Sequence, residues 1–125
     1  MKQKIHSDQA PQAIGPYSQA IKTANTVYFS GQIPLDPKTM ALCSADFKAQ
    51  TTQVFTNMAA VAKAAGGDLA SIVKLTIYLV DLANFAIVNE TMQQFFTEPY
   101  PARTTIQVSA LPKAAQIEIE AVMVV

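Results

Sequence analysis

Few side chains in this 125-residue chain could do polar chemistry, and the most distinctive is an arginine. Of nine basic residues only one, Arg103 in the run YPARTTIQ, carries a guanidinium. That group is a fixed planar fork suited to gripping a carboxylate bidentately. Alternation puts Arg103, Thr105 and Gln107 on one face of a strand running from Arg103 to Val108. It puts Glu118 and Glu120 on one face of a closing strand from Gln116 to Val125. If those strands pair as a hairpin across a turn at Ala110–Ala115, the arginine and the acids share one side of the sheet. Two readings stay open. Arg103 could form a structural cross-strand ion pair with Glu118 or Glu120. Alternatively, Arg103 holds a small carboxylate-bearing substrate while a nearby acid holds a water or moves a proton.

Other chemistries lack their parts. The single histidine, His6, lies in an irregular N-terminal segment, and the single cysteine, Cys43, has no ligand-spaced partner. No metal set is evident, and Cys43 reads as a small side chain in a surface loop. The four glycines, Gly15, Gly31, Gly66 and Gly67, each sit at a break between elements, so there is no phosphate-cradling loop.

Composition narrows the setting. Nine acidic residues cancel the nine basic ones. The chain therefore lacks the basic stripe of a nucleic-acid binder and any polybasic membrane-binding segment. Neither a signal peptide nor a transmembrane run is legible, so a cytoplasmic protein is expected. One lone cysteine fits a reducing compartment. Half the residues are hydrophobic and only 14% are charged, which favours a homo-oligomer that buries apolar patches between copies.

The elements that must position these residues follow from pattern. Residues 1 to 16 read as irregular, with Pro11, Gly15 and Pro16 as breakers. Tyr17–Thr23 and Thr26–Ser30 read as a hairpin, which Gly31 ends. Asp46 is a helix N-cap, and Phe47, Val54, Phe55, Met58, Val61, Ala62 and Ala65 fall on one helical face before Gly66 and Gly67. Lys48, Gln50, Gln53 and Asn57 fall largely elsewhere. Val73–Val80 alternates as a strand, with Val73, Leu75, Ile77 and Leu79 on one face. Asp81 and Asn84 are cap candidates for a second helix over Phe85–Phe96, which Pro99 and Pro101 break. The order β-β-α-β-α-β-β predicts a single α+β domain: one mixed sheet with two helices on one face. Its helix-free face is expected to carry Lys74, Thr76, Arg103, Thr105, Gln107, Glu118 and Glu120.

Several longer stretches, taken together, carry a resemblance. IGPYSQA (Ile14–Ala20), YFSGQIPLDP (Tyr28–Pro37), VKLTIYLVDLANFAIVNE (Val73–Glu90), PARTTIQVSALP (Pro101–Pro112) and IEIEA (Ile117–Ala121) resemble the RidA/YjgF family of reactive-intermediate deaminases. This family is also called L-PSP endoribonuclease-like. The resemblance spans essentially the whole chain. It implies a chorismate-mutase-like fold, a homotrimer with sites between subunits, and no cofactor or metal. The implied reaction is hydrolysis of 2-imino acids, or enamines such as 2-aminoacrylate, to 2-keto acids and ammonia. Residue by residue, Arg103 matches the carboxylate-gripping arginine, Glu118 the acid that positions or activates water, and Tyr17 the site tyrosine. Glu120 matches a neighbouring acid without that role. Ser30 and Gly31 match small residues of the pocket wall, and Asn89 an asparagine near the site. Thr105 stands where the family often has cysteine, and the segment TEPY between Phe96 and Pro101 is shorter than in typical members. Alternative activities are ribonuclease or translation inhibition, for which the neutral charge gives little support, and non-enzymatic binding of a 2-keto acid.

Overall fold

A computed structural model of the chain describes residues 1–125. Eight main elements form it: β1 (Lys2–Ile5), β2 (Ala20–Thr23), β3 (Thr26–Gln32), α1 (Phe47–Ala64), β4 (Ile72–Leu79), α2 (Phe85–Phe95), β5 (Ala102–Gln107) and β6 (Ile117–Val124). The expected α+β architecture holds, as one mixed six-stranded sheet in the order β1-β2-β3-β6-β4-β5 with both helices on one face.

The helices start and stop for local reasons. Asp46 accepts a hydrogen bond from the Ala49 backbone N–H at 2.9 Å, satisfying one of the first-turn donors of α1. The apolar stripe of α1 supplies Val54, Phe55, Met58 and Val61, all fully buried. Gly66, at φ 91°, gives the left-handed turn that ends the helix. Asp81 caps a short 3₁₀ turn ahead of α2, accepting from Ala83 N, whereas the Asn84 side chain caps nothing. Phe55 of α1 meets Phe95 and Phe96 at ring-centroid distances of 5.4 Å, which fastens the helices together. Beneath them lie Leu75, Ile77, Leu79, Ile117, Ile119 and Met123, none of them accessible to solvent. Each such side chain contributes roughly 1.5–3 kcal/mol by leaving water.

The sheet departs from the sequence expectation in its strand pairing. The Arg103 strand and the Glu118 strand do not form a hairpin. β5 runs parallel to β4, with Arg103 level with Leu75, Thr105 with Ile77 and Gln107 with Leu79. β6 lies between β3 and β4, antiparallel to both. The reason is the crossover helix: β4–α2–β5 is a strand–helix–strand unit that returns the chain beside β4 in the same direction. β5 then forms a sheet edge, whereas the strictly alternating apolar residues of β6 fit a central slot against the helices.

Smaller corrections share this local character. Residues 1–16 are not wholly irregular, because Lys2–Ile5 adds an edge strand to β2. β2 begins at Ala20 rather than Tyr17, and β3 runs past Gly31 to Gln32 with a register shift between Phe29 and Gln32. A second shift between Ile72 and Lys74 leaves Ile72 buried and Val73 exposed, so Val73 does not share the inner face of Leu75. Gln50 and Asn57 lie in the interior of α1's packing face rather than away from it. The Gln50 side chain holds Gln116 N and Ser44 O, each at 2.9 Å, and Asn57 donates to Leu35 O at 3.0 Å. Both are buried because they bond backbone that would otherwise be left unpaired.

Candidate functional site

The expected site residues fall into two groups on opposite sides of the sheet. Arg103, Thr105 and Gln107 do share a face, but it is the helix-bearing face. On the other face the β5 residues are Thr104, which accepts from Lys74 Nζ at 3.2 Å, and its neighbour Ile106. Glu118 and Glu120 lie on that helix-free face, opposite Tyr78 and Thr76 of β4. With β4 between them and the sheet dividing them, Arg103 cannot pair with either acid. Arg103 takes part in no ion pair; the two within the chain are His6–Asp8 and Lys48–Glu90. The structural ion-pair reading of Arg103 therefore fails.

The arginine half is built by α2. Arg103 Nη1 donates to Asn89 Oδ1 at 2.5 Å and to the Met92 sulfur at 3.4 Å. Its guanidinium carbon sits 4.9 Å from the centroid of the Phe85 ring. Gln107 Oε1 accepts from Leu82 N at 3.0 Å, tying the start of α2 to β5. Arg103 and Asn89 then line an open cavity of about 470 Å³ with Met92, Gln93, Tyr100 and Pro101. Thr105 lies next along the same face. Its hydroxyl is the one buried side-chain polar atom in the chain without a partner.

The carboxylate half is built by the N-terminal segment and β3. Buried Gln19 accepts from Ser7 N at 2.7 Å and donates to Pro11 O at 2.8 Å, fastening the irregular stretch against the sheet. Ser30 donates its hydroxyl to Ser18 O at 2.6 Å. Tyr17, Ser30 and Gly31 share a cavity of about 400 Å³ with apolar walls from Ile14, Ile33, Leu35 and Met40. Gly31 lies directly against Glu118. A Cβ at residue 31 would collide with the carboxylate and stand 2.8 Å from its carbon. Burial pushes the Glu118 carboxyl above its ordinary range, and the charge of Glu120 adds to the shift. Glu120 accepts a 2.5 Å hydrogen bond from the Tyr78 hydroxyl. That bond, more than burial, pushes the Tyr78 phenol up.

The structure thus brings Tyr17, Ser30 and Gly31 together, with Glu118 against Gly31, and separately Arg103, Asn89 and Thr105. Phe85, Met92, Gln19 and Tyr78 were not singled out from sequence as site residues. Gln19 lies inside the IGPYSQA motif, and Phe85 and Met92 precede and follow Asn89 at helical spacing, so a signal was present. Cys43 stays outside both groups, its thiol pushed up by burial, which disfavours a nucleophilic thiolate. No cluster of three His, Cys, Asp or Glu side chains could hold a metal ion, and no helix is long and apolar enough to cross a membrane.

Comparison with known proteins decides what this geometry belongs to. Residues 7–125 match the family model described as endoribonuclease L-PSP. The chain belongs to the RidA/YjgF family. Within that family it is 44% identical over 124 residues to a human protein named 2-iminobutanoate/2-iminopropanoate deaminase, covering 99% of this chain and 90% of the relative. The crystal structure of RidA from an Antarctic Psychrobacter is 50% identical, with a TM-score of 0.95 over 98% of this chain and 99% of that one. The structure of E. coli TdcF with bound serine is 40% identical, with a TM-score of 0.93 over 98% of each chain. RidA/YjgF relatives of this chain thus include named imine deaminases and a protein that holds a small amino acid.

Proposed function

We propose that this protein is a 2-iminobutanoate/2-iminopropanoate deaminase, hydrolysing reactive imines and their enamine tautomers to 2-keto acids and ammonia. The observation that carries this reading is the state of Arg103. It is the only guanidinium in the chain, pairs with no carboxylate, and is held at the mouth of a cavity by a neutral amide. A cation held in this way suits a substrate carboxylate, and each charge-assisted hydrogen bond contributes about 1.5–3 kcal/mol. The human relative's name and the serine held by TdcF agree with a small amino-acid-like ligand.

The reaction needs an acid–base group besides the anchor, and Glu118 is the candidate. A carboxyl pushed above its ordinary range is a better base than an ordinary glutamate. Water attacks the electrophilic iminium carbon, forming a C–O bond as the C=N π pair moves onto nitrogen and one water proton passes to the Glu118 carboxylate. The resulting carbinolamine receives that proton on nitrogen. Its C–N bond breaks, ammonia leaves with the electron pair, and the hydroxyl gives its proton to the Glu118 carboxylate as the keto group forms; ammonia then takes that proton as ammonium. Gly31 lies against Glu118, and with Tyr17 and Ser30 it lines the pocket for the substrate's apolar side chain; Thr105 and Asn89 flank the anchor.

Arg103 and Glu118 cannot meet on one chain, so the complete site joins the arginine half of one copy to the carboxylate half of another. A homotrimer in which each cleft receives one half from either neighbour satisfies this requirement. The exposed apolar side chains Tyr28 and Ile106 on the helix-free face supply surface for such an assembly. The test is a coupled assay in which a dehydratase generates 2-aminoacrylate and pyruvate release is followed. Accelerated release is expected. No acceleration, beside an active control enzyme, would remove the deaminase reading, and pyruvate binding without turnover would turn it into that of a keto-acid sensor.

A further inference from the structure

The three contacts that hold Arg103 come from one helix. Phe85, Asn89 and Met92 follow one another along α2 at spacings of four and three, which places them on a single face. Phe85 lies under the guanidinium, Asn89 accepts from Nη1 at 2.5 Å, and the Met92 sulfur accepts from the same nitrogen at 3.4 Å. Nε and Nη2 bond to nothing in the chain. Phe85 is 36% exposed, so core packing alone does not account for an aromatic ring there. A cation over an aromatic face does account for it.

An unrestrained arginine on an edge strand samples many rotamers. Fixing one when a ligand arrives costs side-chain entropy that weakens binding. We propose that Phe85, Asn89 and Met92 are positioning residues for Arg103: a three-point clamp from α2 that fixes the guanidinium plane and leaves its Nε–Nη2 edge free for a carboxylate. Asn89 then acts on the arginine and not directly on the substrate. Gln107 completes the arrangement by locking the start of α2 to the strand that carries Arg103.

The effect of the clamp on turnover rests on the deaminase reading, but its existence can be tested apart from it. A lone arginine gives a single Nε–H signal in a ¹⁵N NMR spectrum, so its mobility is read directly. The signal is expected to be motionally restricted in the unmodified protein. Phe85→Leu should free it, whereas Phe85→Trp, which keeps an aromatic face, should leave it restricted. In the imine assay Phe85→Leu should raise KM, and the Kd for 2-oxobutanoate, by about two- to fivefold. kcat should stay within about twofold of the unmodified value. Met92→Leu, which keeps the volume and removes the sulfur acceptor, should give a smaller loss in the same direction. A mobile Nε–H in the unmodified protein, or equal behaviour of the Leu and Trp variants, overturns the clamp. A restricted, Phe85-dependent signal in a protein that neither hydrolyses the imine nor binds 2-oxobutanoate leaves the clamp standing and sinks the deaminase reading instead.

Discussion

Arg103 and Glu118 are the two charged ends of the proposed site, and the fold treats them in opposite ways. The arginine is supported: an amide, a thioether and an aromatic ring from α2 fix it without neutralising it. The glutamate is crowded: it is partly buried beside a second carboxylate and fits only because residue 31 has no side chain. An anchor needs a definite geometry and an undiminished charge. A proton-transfer group needs a pKa moved toward the working pH, and unfavourable surroundings supply that shift. Separating them across the sheet lets each environment form without cancelling the other. On the proposed reading, neither half acts alone.

The largest expected effect tests that division directly. Arg103→Ala and Glu118→Gln should each lower imine hydrolysis by about a hundredfold or more, the first by removing carboxylate binding and the second by removing the base. If a site takes one half from each of two copies, unfolding and refolding the two inactive variants together should restore activity. At equal amounts about a quarter of sites would draw an intact residue from both contributors. Failure of the mixture to regain activity, with mixed oligomers demonstrated by mass, would show that Arg103 and Glu118 of different copies do not combine in one site and would break the proposed division.

Gly31→Ala sharpens the comparison from the glutamate side. An added methyl must displace the Glu118 carboxylate or push back the β3 backbone, which is fixed on either side of Gly31 by the Phe29–Ala121 and Gln32–Ile119 pairings. A shift of about an ångström in a catalytic group costs up to roughly a hundredfold in rate. The variant should therefore lose most of its kcat. Its affinity for 2-oxobutanoate should fall much less, since the arginine half is untouched. Comparable losses in kcat and in affinity, measured by steady-state kinetics and calorimetry, would mean that the two halves are not independent.

The same contrast explains what sequence could and could not disclose. Helix α1 was legible because its cap, its stripe and its terminating glycine are all local signals. The inner face of β6 was legible because four alternating apolar residues admit one orientation. β5 was only half legible. Alternation tells which residues share a face but not which face of the sheet it is, and β5 is an edge strand with polar groups on both sides. Placing Arg103 with Glu118 followed from assuming a hairpin, when the β4–α2–β5 order favoured a parallel crossover. The buried polar residues Gln19, Gln50 and Asn57 were missed for a different reason: what buries them is distant backbone in need of a partner, which leaves no mark on periodicity.

A smaller effect follows from the Glu118 surroundings and is read as stability. Its carboxyl is raised in the folded protein above the ordinary value near 4.5. Below that ordinary value Glu118 is protonated in both states and the fold bears no penalty. As pH rises through the folded pKa, the native state must accept a charge that burial and Glu120 oppose, so stability is lost on the alkaline side. Glu118→Gln removes this charge. It should raise Tm at pH 7, with the advantage vanishing as the pH is brought below 4.5. An advantage that persists unchanged at low pH would point to packing rather than charge as its source.

The smallest expected effect concerns Thr105, beside Arg103. Its buried hydroxyl lacks any partner, an arrangement that costs stability because the group gives up water and gains no bond in return. Thr105→Val keeps the shape and removes the orphaned group. If the anchor half is complete in Arg103 and its clamp, with Thr105 contributing only backbone, Tm should rise by about 1–2 °C and 2-oxobutanoate affinity should stay within about twofold. If instead the hydroxyl is held unpaired to meet a ligand, affinity should fall about tenfold, because a polar contact made only in the complex has been removed. Calorimetric titration and a thermal melt on the same sample separate the outcomes. A tenfold loss would extend the arginine half by one residue, and it would mean that this half, too, carries an unsatisfied group that only the ligand completes.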